Sequence, residues 1–405
     1  MIKFLKKLGP GLLFAGAAIG VSHLVQSTRA GADYGFSLLW ALLLAHLFKY
    51  PFFQYAPRYA MATGESLLDG YKKLGKGVLY AYFLLNLTTM FTIQTAVTIV
   101  TAGLASNLFG ITANPITWSV IVTICCLLIL LIGKYKLLDN LMKIIICTLT
   151  LCTVVAILMA FSSSEKSINL TQTFPTDIGG IAFIIAFMGW MPAPLDISVW
   201  HSLWALEKKK GQKSYKTKRA ITDFNIGYLS TIILGVFFLS LGALVMYQSN
   251  EDFNNGATQF AFQFINMYTE TLGSNTYYVI AIAAFTAMFS TTLTTLDASP
   301  RAMAACTSLI LKKKNRNYYP YWIISLAIGT ICILFFLLSE MKLLIDIATI
   351  LSFITAPFYA IINYKLVTSK HMPNKWKPST CMHILSWMGI LFLIGFTLWY
   401  LATIL

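Results

Sequence analysis

Long apolar runs, each bounded by short polar or basic clusters, recur from one end of the chain to the other. A helix needs about 20 apolar residues to cross a bilayer. The pattern predicts eleven such spans, at approximately 8–30, 36–60, 78–109, 114–133, 139–162, 176–206, 221–248, 273–311, 319–339, 343–367 and 382–404. The third and eighth exceed one crossing and are expected to hold a tilt or a non-spanning turn. The alternating ten-residue segments of a membrane β-barrel are absent. The loop 249–272 is the largest on its side, and Gln259 to Tyr268 within it is expected to form a short surface helix. No Pro-rich or Gly/Ser-rich linker separates soluble domains, so residues 1–405 read as a single membrane domain.

Two spans break the apolar pattern at their middles. The first carries glycines at 9, 11, 16, 20, 31 and 35, and Ser22, His23, Gln26, Ser27, Thr28 and Arg29 follow within one membrane length. Gly20 and Ser22 lower helix propensity where lipid cannot satisfy a freed backbone group. His23 adds a ring nitrogen able to ligate a metal or carry a proton. A tightly packed glycine face with a structural, hydrogen-bonded His23 is the equal alternative. The sixth span reads Met191-Pro192-Ala193-Pro194-Leu195-Asp196. Two prolines remove two helical hydrogen bonds and predict a break. Asp196 follows it, at the amide end of a half-helix. An acid within a membrane is a functional candidate, and a helix cap with an ion pair is the structural reading of the same residue. Interruptions five spans apart are what a five-plus-five inverted repeat requires. The predicted repeats are approximately 8–162 and 176–367, with an extra helix at 382–404.

Composition narrows the class. The chain is 57% hydrophobic and 11% charged, against roughly 25% charged in soluble proteins, so an all-α polytopic membrane protein is expected, with the lipid bilayer as its surroundings. A formal net charge of +15 can signal nucleic acid, but most of the basic residues fall in alternate loops. These include Lys3, Lys6 and Lys7, then Lys72, Lys73 and Lys76, the run from Lys208 to Arg219, and Lys312 to Arg316. That is the positive-inside pattern. It predicts a cytoplasmic N-terminus, an external C-terminus, a plasma or bacterial inner membrane location and no nucleic-acid partner. The first residues, Met1 to Lys7, lack a cleavage site before the next polar stretch and read as a cytoplasmic terminus, not a signal peptide. Seven cysteines without a CxxC pair predict neither a disulfide frame nor a zinc site. No nucleophile–base constellation or cofactor motif appears, so no enzyme and no cofactor is expected. No obligate protein partner can be inferred.

The eighth span places hydroxyls at Ser290, Thr291, Thr292, Thr294 and Thr295. They can coordinate a small coupling cation against the first span, or bond helix carbonyls and let helices pack closely. Asp297 and Arg301 stand at i,i+4, the spacing of a salt bridge, with Pro300 between them able to kink the pair apart.

Several stretches resemble the Nramp family of divalent-metal transporters. They are Gly9-Pro10-Gly11 with Gly31-Ala32-Asp33-Tyr34-Gly35, Ala102 to Ile111, Gly133 to Asp139, His201-Ser202 and Ala356-Pro357-Phe358. The resemblance covers most of the chain and implies the LeuT-type inverted-repeat fold with an eleventh helix. The metal motifs depart from it. The family's Asp-Pro-Gly-Asn falls on Gly20-Val21-Ser22-His23, so its Asp becomes Gly20 and its Asn His23. The family's Met-Pro-His places either Ala193 or Asp196 at the His, with Met191 or Pro194 at the Met. An acidic pair of the family's proton route falls on Gln94 and Val97, and its tenth-span Gln on Thr355. The substrate-site candidates are therefore Gly20, Ser22, His23, Met191, Ala193, Asp196 and Thr355, with His23, Met191 and Asp196 as metal ligands. Ser290, Thr291, Thr294, Asp297 and Arg301 are the coupling-ion or ion-pair candidates. A hard divalent cation prefers carboxylate and carbonyl oxygens, and His23 with Met191 suits a softer ion. The resemblance implies a secondary transporter of divalent metal with a remodelled site. Uptake of a small organic solute, an amino acid or amine, is the alternative on the same fold, and a non-transporting sensor the third.

Overall fold

The computed structural model describes residues 9–132, 150–162 except 152 and 160, 169–212, 214–247, 254, 256–313, 316–336 and 341–404. Described residues are helical or in short connections, with no strand among them. The spans are Pro10–Tyr34 (interrupted), Leu39–Thr63, Lys76–Phe109, Pro115–Ile132, Ile178–Trp190 with Ile197–Gly211, Thr217–Val245, Tyr277–Leu311, Tyr319–Phe336, Met341–Thr368 and Thr380–Ile404. Most of the predicted fifth span lies outside the described residues, as do the basic residues at 3–7 and 134–136 and Cys147 and Cys152; its described part is helical. Eight helices among the described residues are long and apolar enough to cross a membrane. Helix Ala257–Leu272 occupies the loop where a surface helix was expected.

Of the two expectations for the third and eighth spans, a turn or a tilt, the turn is not found: they are continuous helices of 34 and 35 residues. At 1.5 Å per residue each is about 50 Å long, so they cross a 30 Å hydrocarbon core only with tilt or overhang. Pro300 does not interrupt the eighth.

The first span sits at the centre, buried throughout from Pro10 to Gly31. The fourth, ninth and eleventh lie outermost, exposing Leu128, Leu131, Ile328, Phe335, Leu391 and Leu398. Those apolar faces are what lipid-facing helices present. Glycine explains how the first span reaches the seventh. A Cβ added to Gly11 would stand 2.0 Å from the Asp223 carbonyl oxygen, and one on Gly227 would stand 2.0 Å from the Gly11 oxygen. Gly31 against Leu239 and Gly242 against Thr28 repeat the arrangement at the other end. Small residues at such crossings let helix backbones touch.

The seventh span also caps the first. Asp223 accepts the Gly9 N–H through Oδ1 and the Gly11 N–H through Oδ2, both at 3.1 Å, and Tyr215 donates to Oδ2 at 2.8 Å. These amides belong to the orphan donors of a helix start, where a carboxylate is favoured.

Gly31→Val is expected to lower the thermal midpoint sharply or abolish folded yield, since its side chain meets backbone that cannot retreat. Gly395→Ala, with nothing within 4 Å of the added carbon, should hold or raise the midpoint. Thermal unfolding of the two purified variants checks the contrast.

Candidate functional site between the two broken helices

The first span stops as an α-helix at Ala18 and resumes as a wider π-helical stretch, Val21–Ser27, before Thr28–Tyr34. The sixth stops at Trp190 and resumes at Ile197, with a cis peptide between Met191 and Pro192. Both breaks fall where glycine and proline predicted them. A small cavity of about 20 Å³ lies against them, room for a single water. It is lined by Ala17, Ala18, Val21 and Ser22 of the first span, Ile93 and Val97 of the third, Trp190, Ala193, Pro194 and Ile197 of the sixth, and Thr291 and Thr295 of the eighth. Its side-chain polarity is that of the Ser22, Thr291 and Thr295 hydroxyls and the Trp190 indole, whose N–H donates to Ser352 Oγ. Among the described residues no group of three His, Cys, Asp or Glu is arranged to hold a metal ion.

A helix break frees carbonyl oxygens, and protein groups engage several of those freed here. In the first span, Thr291 donates to Gly16 O at 3.1 Å. Ser22 Oγ approaches Ala18 O and Pro192 O, the latter at 3.4 Å, so one hydroxyl links the two breaks. In the sixth, the buried Lys49 of the second span donates from Nζ to Met188 O and Gly189 O, each at 2.7 Å, and to Ala193 O at 3.4 Å. Lys49 was not among the sequence candidates. The signal was there: a lysine in the middle of a span is costly in lipid and marks function by default.

Gly20 abuts the eighth span, where an added Cβ would stand 2.7 Å from the Thr291 methyl carbon. His23 is fully buried and turned from the cavity. Its Nε2 lies 2.9 Å from Thr231 O, and its Nδ1 lies 3.0 Å from Ala18 O and 2.7 Å from Ser22 Oγ. Both ring nitrogens are thereby engaged within the protein. The π-helical widening is the physical reason: one extra residue per turn rotates the faces that α-helical spacing would give. Met191 is buried with its sulfur 3.9 Å from the Ser27 hydroxyl. Ala193 lines the cavity and offers its carbonyl to Lys49.

Asp196 begins the second half of the sixth span, 2% exposed and outside the cavity lining; no side-chain donor reaches its carboxylate among the described residues, and the amides of Asp196 and Ile197 stand beside it. The Lys49 charge acts on it, but no ion pair joins them. Around it stand Tyr71, Tyr82 and Tyr359, with ring centroids 5.9 Å apart for the first pair and 6.1 Å for the second. The hydroxyls of Tyr82 and Tyr359 are likewise without a partner. Thr355 bonds the Leu351 and Ser352 carbonyls of its own helix and stands away from the cavity.

The eighth-span hydroxyls divide. Thr291 and Thr295 line the cavity. Ser290 bonds Ala287 O, Thr292 meets Thr101 Oγ1 at 2.7 Å, and Thr295 donates to Gln94 Oε1 at 2.6 Å. Gln94 in turn donates to Thr98 and the Thr292 carbonyl. The third and eighth spans are thus joined by a neutral polar seam. Thr294 is buried in the same helix. Asp297 and Arg301 form a salt bridge of 2.6 Å, which Pro300 does not disturb, and Tyr319 donates to the second carboxylate oxygen at 2.6 Å. Arg301 and Tyr319 belong to a separate cavity of about 600 Å³, bordered by Gly64, Trp204, Glu207, Lys209 and Lys210 at one end of the bundle.

The family model for the natural resistance-associated macrophage protein-like (Nramp) proteins matches residues 11–403. An uncharacterized protein of Pasteurella multocida is 37% identical over 98% of this chain and 92% of its own length. The divalent metal cation transporter MntH of Staphylococcus saprophyticus is 23% identical over 96% of this chain and 90% of its own. A manganese transporter from Eremococcus coleocola superposes with a TM-score of 0.73 at 15% identity, covering 99% of this chain and 86% of that one. A nucleobase-cation-symport-1 family transporter superposes at 0.64 with 14% identity over 98% and 93%. The fold is accordingly the LeuT-type inverted repeat with an eleventh helix, in a multi-pass membrane protein. This chain belongs to the Nramp family of transporters.

Proposed function

We propose that this chain moves a divalent metal ion across the membrane by alternating access about the two broken helices. The observation that carries the transport reading is the pair of discontinuous spans facing each other across a small, water-sized cavity. Substrate sites of such folds lie at breaks of this kind. The cargo class follows the descriptions of the named relatives. Asp196 is the residue for the charge: a buried carboxylate with no ion-pair partner is costly alone and favours a cation beside it. Met191 adds a softer ligand, so the site discriminates less against thiophilic ions than an all-oxygen one. Thr291 and Thr295 give the cavity wall its hydroxyl oxygens. Gly20 leaves room for Thr291. His23 and Thr355 support the site through the hydrogen bonds that hold their own helices. No enzymatic step is assigned, and Asp297–Arg301 acts as a structural ion pair.

The lysine-rich loops support a cytoplasmic N-terminus and external C-terminus in a plasma or bacterial inner membrane. The two inverted repeats of the fold are taken as approximately 8–162 and 176–367.

A second reading, transport of a small organic solute, is favoured by one observation: the cavity wall holds hydroxyls and apolar groups but no carboxylate. Cargo without net charge suits such a wall.

In proteoliposomes loaded with a metal-sensitive dye, manganese is expected to give saturable uptake, and Asp196→Asn to cut its rate by roughly tenfold or more. Absence of flux with every divalent ion tried, together with calorimetric binding of an amino acid or amine, replaces the first reading by the second. His23→Ala should behave differently from Asp196→Asn. With two hydrogen-bonded ring nitrogens lost, its thermal midpoint falls, while the substrate concentration at half-maximal uptake by the folded fraction stays unchanged.

A further inference from the structure

A helix that ends inside a membrane turns its last carbonyl oxygens loose, carrying the negative end of the helix dipole. In transporters with discontinuous helices such ends coordinate the coupling cation. The first half of the sixth span ends this way at Trp190, and its terminal carbonyls are already occupied. Lys49 Nζ stands 2.7 Å from Met188 O, 2.7 Å from Gly189 O and 3.4 Å from Ala193 O. An ammonium has three N–H donors, and three carbonyls receive them.

The arrangement differs from an ordinary buried lysine. Charged side chains in a membrane extend toward the interface or pair with a carboxylate. Lys49 does neither: it is fully buried, and among the described residues no carboxylate lies within ion-pair distance of it. Backbone oxygens alone complete its coordination, as they would for a small metal cation stripped of water. It reaches them from a neighbouring span, so its charge stays with the protein through a transport cycle.

We propose that Lys49 is a tethered cation that stands in for a mobile coupling ion at the carbonyl end of the broken sixth span. Two consequences follow. The wild-type chain needs no sodium or potassium at this position, and cationic cargo must be compensated elsewhere, which leaves Asp196 as its counter-charge. The inference builds on the transporter reading, but its test reads binding and stability in the purified chain without transport, so the two fail separately.

The experiment compares full-length wild type, Lys49→Ala and Lys49→Arg in detergent, by thermal unfolding in choline, sodium, potassium and methylammonium chloride at equal ionic strength. Wild type should show one midpoint in all four salts. Lys49→Ala should unfold earlier in choline and recover in sodium or methylammonium, with matching heat of binding by calorimetry. Lys49→Arg should keep most of the wild-type midpoint. A Lys49→Ala midpoint equal to wild type in choline overturns the proposal, as does a lowered midpoint that no small cation restores. Where Lys49→Ala yields no folded protein in any salt, wild type decides: a midpoint raised specifically by sodium or potassium overturns the proposal, and indifference upholds it.

Discussion

A lipid bilayer offers no hydrogen bonds, so every backbone group freed by a break in a spanning helix must find a partner inside the protein. Two breaks at the centre of this bundle make that constraint severe, and much of the surrounding structure answers it. Thr291 and Ser22 take the freed carbonyls of the first span, and Lys49 takes those of the sixth. The breaks therefore persist as parts of the fold instead of collapsing into continuous helix or waiting for cargo to complete them.

The same constraint explains why the neighbours are so close. Gly11, Gly227, Gly31 and Gly242 bring the first and seventh spans into backbone contact, and Asp223 caps the first at its start. On the opposite side, Gln94, Thr98 and Thr101 meet Thr292 and Thr295 in a seam of neutral hydrogen bonds. That seam backs the eighth span, whose Thr291 donates to Gly16 O, so the first span is held by the seventh on one side and the eighth on the other. The seam carries no formal charge at the positions where the family's acidic pair falls, and the charged side chains beside the sixth-span break are Lys49 and Asp196.

That concentration sets the chemistry. A fully bonded ammonium from the second span and a carboxylate of the sixth meet at the same break without forming an ion pair. The carboxylate is left as the group still seeking a partner, surrounded by tyrosines of which Tyr82 and Tyr359 are also unpartnered. This asymmetry, more than the small cavity itself, separates the site from one built of carboxylates around a hard cation.

The sequence by itself determined the class, the spans among the described residues and the two breaks, because these rest on local rules. About twenty apolar residues make a crossing, and Gly20, Pro192 and Pro194 disrupt helices wherever they sit. The Asp297–Arg301 pair was legible for the same reason, being four residues apart on one helix. Tertiary structure alone decided which way the central side chains point. His23 turns to the seventh span because the π-helical turn rotates its face, and Thr355 spends its hydroxyl on its own helix. Lys49 and the carbonyls of Met188 and Gly189 stand about 140 positions apart, a separation at which no periodicity operates. Only the packing of the second span against the sixth joins them, and that contact settles where the positive charge at the centre lies.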